Sequence, residues 1–519
     1  MTLSRKVIVS FAVAAVLLLP FAQFSTFSQM YDAPKIPKVV VLGFDGIDPV
    51  LLEEYMQKGE LPNFDSLRKT GGFSELATTN PPQSPVAWAS FMTGANPGKH
   101  NVFDFLTRDP KTYMPKLTIT EIEPPEGFEV MGYNISLKGP LVIGYRKGKT
   151  FWQIASEAGV PSTVLLIPVT FPPDRNAKML SGMGVPDVTG TNGTFSFYTT
   201  DPLALTGAEG GRIVHVIKKG NSISAELVGP KNDLLKERPQ TKITFTAEIT
   251  GEGKATVRLQ GREFEISQGR FSEWKHIEFK LAPFVSVKAI ARFLLVSTKP
   301  EIGIYVSPLN FDPAEPALPI SNPPGYSAEV EKEIGPYATQ GMPEDTWALT
   351  ENVIDDATFL EQVKLVQKER ERIFFLELGK LKGGILAAVF VSSDRVQHMF
   401  WRYRDSGHPL NDQIHDPLRD PLQDEKNRDP VLEVYRHMDT ILGRTMKYID
   451  GDTTLIVVSD HGFKSFRRAV HLNRWLIENG YMALKKSGQG GVFFSDVDWS
   501  RTKAFALGMN GLYLNLAGR

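Results

Sequence analysis

Apolar and polar positions follow two different rhythms along the chain. From Lys38 onward, short unbroken apolar runs end in polar loops, and stretches with helical spacing follow them. KVVVLGFDGID reads as a buried strand ending at Asp45. DPVLLEEYMQKGELPNFDSLRKTG then reads as helix, Pro-marked turn and helix, stopped by Gly71 and Gly72. STVLLIPV (162–169), ILAAVFVSSD (385–394) and TTLIVVSDHG (453–462) are further strand candidates, while 359–378 and 431–449 have the spacing of long helices. Apolar strands alternating with amphipathic helices predict an α/β fold, a doubly wound and mainly parallel sheet with helices on both faces. Between 200 and 311 the period becomes two, in RIVHVIKK, SISAELV, KITFTAEIT, ATVRLQ, REFEISQ and WKHIEFKL, which predicts an inserted antiparallel β unit. The expected organisation is a leader at 1–36, α/β parts at 37–199 and 312–519, and the β-rich subdomain at 200–311.

The leader has its own pattern. Arg5 and Lys6 precede an uncharged apolar run from Val7 to Phe24, the layout of an export signal. Cleaved signal and retained membrane anchor both remain open. Either places the chain outside the cytoplasm, in the periplasm or anchored to the membrane. The polar, Pro-studded stretch 402–430 is a lid candidate.

Composition narrows the chemistry. Lys and Arg number 58 against 59 Asp and Glu, a net charge of -1 that leaves no basic excess for nucleic acid as a main partner. With no cysteine, thiol catalysis and sulfur-ligated metals are excluded, so any metal is held by oxygen or imidazole. Six of the nine histidines lie at 398 and beyond: His398, His408, His415, His437, His461 and His471.

Functional groups of an open α/β sheet gather at the carboxyl ends of strands. Asp45, Asp394 and Asp460 are expected there, Asp394 with His398 in DRVQH and Asp460 with His461 in SDHG. Such carboxylate and imidazole sets suit zinc or manganese, and two ions about 3.5–4 Å apart can stabilise both the entering and the leaving oxygen of a phosphoryl transfer. Ser84, read as the N-cap of a helix whose N1 is Pro85, is the candidate nucleophile, its hydroxyl at the positive end of the helix dipole. The competing readings are structural: Ser84 as a plain cap, Asp45 as an Asx-turn, and DxxxH as a solvated helix face.

The ordered set FDGID, Ser84, TGxxPxxH (Thr93, Gly94, Pro97, His100), DxxxH and SDHG resembles the alkaline phosphatase superfamily, and within it the type I phosphodiesterase/nucleotide pyrophosphatase branch. The resemblance covers about 38–108 and 385–519. It implies an alkaline phosphatase-like doubly wound fold, two metal ions, usually zinc, and a small phosphate-ester substrate hydrolysed through a phosphoseryl intermediate. By motif position, Asp45, Ser84, Asp460 and His461 would hold one ion, with Asp394 and His398 on the other.

The chain also departs from the branch. It has Ser84 where Thr is common and Ala87 where an Asn helps hold the phosphoryl oxygen, and Pro85 lacks an N–H donor. The Val86 and Ala87 amides, or Asn80, could substitute, and His100 is expected near the pocket. Branch members supply a further His well downstream of SDHG. His471 could take that role or cap the helix after it, or the residue could lie beyond Arg519, which would make the chain a fragment. Phosphomonoesterase and phosphonate hydrolase stay open as activities. A non-catalytic envelope binding protein on a decayed phosphatase scaffold is the alternative from a different class.

Overall fold

The computed structural model describes residues 36–124, 126–135, 139–204, 207–409, 429–485, 491–509 and 511–516. The leader and most of the lid candidate, with His415, lie outside these. Among the described residues no helix is long and apolar enough to cross a membrane.

The fold is mixed α/β, organised on a six-stranded sheet. Its strands are β1 (Lys38–Phe44), β2 (Ser162–Leu165), β3 (Lys178–Leu180), β4 (Ser321–Asn322), β5 (Gly384–Phe390) and β6 (Thr453–Val458). The spatial order is β4-β3-β2-β5-β1-β6, with every pair parallel except β4 with β3. β1 is central to the site because it lies between β5 and β6, Phe44 opposite Phe390 and Gly43 opposite Val458.

Why these runs form buried strands is visible in their packing. Val40, Leu42 and Phe44 point into one hydrophobic cluster with helices α1 (Pro49–Gln57), α2 (Pro62–Thr70) and others, whereas Val41 packs into a second cluster with Val86, Trp88 and Met92 of α3 (Ser84–Thr93). Leu386, Ala388 and Phe390 divide from Ala387 and Val389 in the same way. A strand buried on both faces needs no polar alternation, hence the uniform VVVLGF.

Several expected boundaries shift. The strand at 162–169 ends at Leu165, because Leu166 and Val169 turn to positive φ of 58° and 62°. The run ending at Asp394 is a strand only to Phe390. Ser392 starts a helix, α5 after α4 (Asp356–Lys380), that spans Ser392–Arg404 and carries Asp394 in its first turn. The cap position is Val391 and carries no side-chain cap, while Asp394 in the first turn suits the positive end of the helix dipole. At the far end, Ala504–Leu507 and Gly511–Leu514 form an antiparallel hairpin.

In the β-rich region, Ser222–Lys231, Gln240–Gly251, Lys254–Leu259 and Arg262–Ser267 form one antiparallel sheet. Its apolar face, including Leu227, Phe245 and Val257, packs with Phe279, Ala289, Phe293 and Ile304 of neighbouring strands. The strands do not stop at 200: Phe195–Thr199 pairs in parallel with Gly211–His215 and antiparallel with Gly303–Val306. A buried ion pair ties these strands to α4. Arg292 Nη2 donates to Glu369 Oε1 at 2.7 Å, and the Trp274 indole and the Ala338 N–H each donate to the same carboxylate at 2.8 Å.

Candidate active site

Asp45 follows the last residue of β1 and is 1 % exposed. Its two oxygens have separate duties. Oδ2 accepts the Trp88 indole N–H at 2.8 Å, which leaves Oδ1 to accept the Ser84 hydroxyl at 3.1 Å. Ser84 Oγ also lies 3.2 Å from His461 Nε2. Ser84 is the first residue of α3 rather than its cap. Gln83 holds the cap position and the hydroxyl turns to Asp45, so the simple capping reading is incorrect.

Past Asp45 the chain turns at Gly46, whose φ of 72° suits glycine, and an added Cβ would come 3.2 Å from Asp394 Cα. The Gly46 N–H donates to Asp460 Oδ1 at 3.1 Å, so β1 and the end of β6 are locked at this corner. From the other side Ser393 Oγ donates to Asp45 O at 2.6 Å and Gln397 Nε2 to Gly46 O at 2.7 Å. Thr78 Oγ1 donates to Asp460 O at 2.6 Å.

The corner gathers four ionisable groups. One ligand atom each from Asp45, Asp394 and His461 lies within 4.8 Å of the others. His461 Nε2 is 3.3 Å from Asp460 Oδ2, 3.6 Å from Asp45 Oδ1 and 3.9 Å from Asp394 Oδ1. His398 Nε2 reaches Asp394 Oδ1 at 3.2 Å from a mostly exposed position, its ring edge-on to Phe463. His461 Nδ1 faces Gly462 O at 2.9 Å, which aims Nε2 at the carboxylates.

Packing three carboxylates together is electrostatically costly. Burial, then the charges of Asp460 and Asp394, push the Asp45 carboxyl well above the usual carboxylate range. Burial pushes Asp460 up to about 6, with His461 and the Gly46 N–H pulling against it. Burial also acts to raise Asp394, but the His398 ring beside it wins and holds it below its ordinary value. Asp394 Oδ1 and Asp460 Oδ2 are buried and accept no well-formed hydrogen bond. Hard, anionic oxygens left orphaned around an imidazole are the donor set of a divalent cation, so the residues present fit a metal.

The acid side of this balance is testable. A raised carboxyl contributes its protonated-form stability fully below pH ~4, and that contribution is lost as pH rises through about 6. Bound metal reverses the preference, since it requires the ionised groups. The increase in Tm produced by zinc or manganese over metal-free protein is therefore expected to be small at pH 5 and to grow through pH 7.5, with proton release on binding measurable by calorimetry. An increment independent of pH would exclude these carboxylates as the ligands.

The other expected site residues lie elsewhere. His100 is buried away from solvent, Nδ1 taking the Val102 N–H and Nε2 facing Ser90 Oγ at 2.8 Å, and no described contact joins it to the cluster. His471 is exposed at the N-cap of the helix Leu472–Glu478, with no described side-chain contact to the cluster. Asn80 lies four residues before Ser84 in an exposed loop. The Val86 and Ala87 amides both donate to Gln83 O, at 3.0 and 2.9 Å, so neither is left for a substrate oxygen. Trp88 is the member that sequence reasoning passed over. Its place four residues after Ser84 put it on the same helix face. Lys464 and Arg467, near the SDHG motif, are paired with Asp48 and Asp405.

No curated protein and no solved structure matches the chain. A family model described as type I phosphodiesterase / nucleotide pyrophosphatase matches residues 39–218 and 275–508, and between them leaves out the stretch that holds the Ser222–Ser267 sheet. That match spans β1, Ser84, α5 and the end of β6, the elements that build the carboxylate corner, and the chain belongs to the type I phosphodiesterase/nucleotide pyrophosphatase family, whose members are metal-dependent hydrolases of small phosphate esters.

Proposed function

We propose that this chain hydrolyses small phosphate diesters or pyrophosphates, in the manner of nucleotides, through a phosphoseryl intermediate at a two-metal site. The observation that carries the reading is Ser84 Oγ held between Asp45 Oδ1 at 3.1 Å and His461 Nε2 at 3.2 Å, beside two orphaned carboxylate oxygens. Asp45, Ser84, Asp460 and His461 would hold one divalent ion and Asp394 with His398 the other, His471 being a further ligand candidate. Bound there, zinc or manganese supplies positive charge that lowers the pKa of the Ser84 hydroxyl and neutralises the phosphoryl oxygens.

The protein's own part begins with orientation. Trp88 fixes the Asp45 carboxylate, and Asp45 aims the Ser84 lone pairs by accepting its proton in a hydrogen bond. Ser84 Oγ gives its proton along the hydrogen bond to Asp45 Oδ1 and forms the new bond to phosphorus, while the ester oxygen leaves with its bonding electrons and takes a proton from solvent. Water then displaces Ser84 from phosphorus and restores the hydroxyl. Asn80 is a candidate for contact to substrate, whereas His100 is buried with both ring nitrogens engaged by Val102 and Ser90. Export through the 1–36 leader, with the active site in the periplasm or at the outer surface of the membrane, completes the reading.

Zinc- or manganese-loaded protein is expected to turn over an aryl phosphodiester faster than the aryl phosphomonoester, and an aryl sulfate slowest. A reversed diester/monoester order would transfer the assignment to a phosphomonoesterase. One observation favours a second reading, a non-catalytic binding scaffold: Pro85 has no N–H, and the Val86 and Ala87 amides are consumed by Gln83. That reading requires no turnover of any ester and well under two ions per chain by elemental analysis.

A further inference from the structure

One cation beside the carboxylate corner has no acceptor to hold. Arg395 follows Asp394 as the fourth residue of α5, and its side chain is 15 % exposed. Among the described residues its Nε is buried without a hydrogen-bond partner, and its ion-pair contact is Nη1 to Asp394 Oδ2 at 4.0 Å, too long for a hydrogen bond. Similarly covered arginines elsewhere are satisfied. Arg292 donates to Ser272 O and to Glu369 Oε1, each at 2.7 Å, and Arg146 to both oxygens of Asp174 at 2.9 and 2.8 Å. Glu344, whose Oε2 is also buried and unpartnered, accepts Ser392 Oγ at 3.1 Å and has no ion pair with Arg395 among the described residues.

Stability gives no reason for this arrangement. A covered guanidinium without an acceptor is costly, and a cation at the start of a helix opposes its dipole. Such a cost beside a candidate nucleophile points to a ligand that arrives later. Asp394 stands between Arg395 and that nucleophile: its Oδ1 lies 3.9 Å from His461 Nε2, and the same nitrogen is 3.2 Å from Ser84 Oγ. The charge of Arg395 also reaches Asp45, where burial is the largest influence on the carboxyl and Arg395 opposes it. Two facts give the class of ligand. The planar fork of a guanidinium matches the paired oxygens of a phosphoryl group. The start of α3 has no amide left for such an oxygen, since Pro85 lacks an N–H and Val86 and Ala87 donate to Gln83 O.

We propose that Arg395 is the phosphoryl-oxygen contact of this site, its fork taking the nonbridging oxygens of the phosphate ester that the backbone of α3 cannot hold. The assignment rests on the phosphate-ester hydrolysis proposed for the site.

Binding of inorganic phosphate to the manganese-loaded full chain, read by calorimetry in native protein, Arg395→Met and Arg395→Lys, tests it alongside turnover of an aryl phosphodiester. The Met variant should keep its metal, and its Tm without phosphate should not fall, because no hydrogen bond of the free protein is removed. Its phosphate Kd should rise ~10- to 100-fold, with a matching fall in kcat/KM for the diester. Lys, a point charge without the fork, should recover only part of both. A phosphate Kd within twofold of native in the Met variant overturns the proposal, and so does native protein that binds no phosphate. Loss of metal or of several degrees of Tm in that variant also overturns it, since either assigns Arg395 to the support of Asp394. Binding is read without turnover, so the two ideas fail separately. Native protein that binds phosphate through Arg395 but cleaves no ester sinks the hydrolase reading alone. Native protein that cleaves the diester while Arg395→Met changes neither constant sinks the Arg395 contact alone.

Discussion

Replacing Ser84 by Ala is expected to lower kcat toward an aryl phosphodiester by at least ~10³-fold, because the group proposed to form the covalent intermediate is removed. Metal content should change little, since Asp45, Asp394, Asp460 and His461 are still gathered at the same corner. Elemental analysis of the same sample separates loss of the nucleophile from loss of the ion. Ser84→Thr, which keeps the hydroxyl, should recover a substantial part of the rate. Acid quenching during turnover should trap on Ser84 of the native protein the substrate's phosphoryl group still bearing its second ester, detectable by mass spectrometry. Full activity in the Ala variant would falsify the covalent route.

The second large effect concerns stability. Arg292→Ala should cost about 3–5 kcal/mol, a sizeable share of the ~5–15 kcal/mol that stabilises an ordinary fold. The cost comes from what remains: Glu369, nearly as buried as its partner, loses the guanidinium at 2.7 Å and keeps only the Trp274 and Ala338 donors. Burial already raises the Glu369 carboxyl, and Arg292 is the first influence opposing it. Without Arg292 the carboxyl rises further, so the variant's deficit is expected to be smallest at acid pH and to widen as pH rises and the group must ionise. Arg292→Met combined with Glu369→Gln should regain most of the loss, because the amide still accepts from Trp274 and no charge is stranded. Urea midpoints at pH 5 and pH 8 for the two variants decide it, and a deficit equal at both pH values would count against the stranded carboxylate.

The parts of the fold legible in sequence are those where one physical demand dominates. β1 and β5 are covered on both faces and had to be continuously apolar, so their runs could be read directly, whereas β6, last in the sheet order, was legible although Thr454 and Ile456 are exposed. The site acids and imidazoles could be read for a related reason: Asp-His at the end of an apolar strand has few uses in a core. Local competition obscured the rest. Asp394 was expected at a strand end, but a helix starts two residues earlier, at Ser392. Three-residue strands such as Leu106–Arg108 and Pro115–Leu117 are too short to show a period. Trp88 on an apolar helix reads as core, and its indole N–H becomes informative only once Asp45 is seen beside it. Whether the Val86 and Ala87 amides were free for a substrate depended on where α3 began, a matter of one residue.

The placement of β1 between β5 and β6 also sets a timetable. The Gly46 N–H meets Asp460 across 414 positions, and Ser393 meets Asp45 across 348. Contacts so distant in sequence pay their loop-closure entropy before they return any stabilisation, and they form late. A ribosome must translate past His461 before the corner can close, so a nascent chain carries Asp45, the first of the proposed ligands, through most of synthesis with nothing to share an ion with. Metal capture is then a final event, and loading becomes a sign that the central sheet is complete.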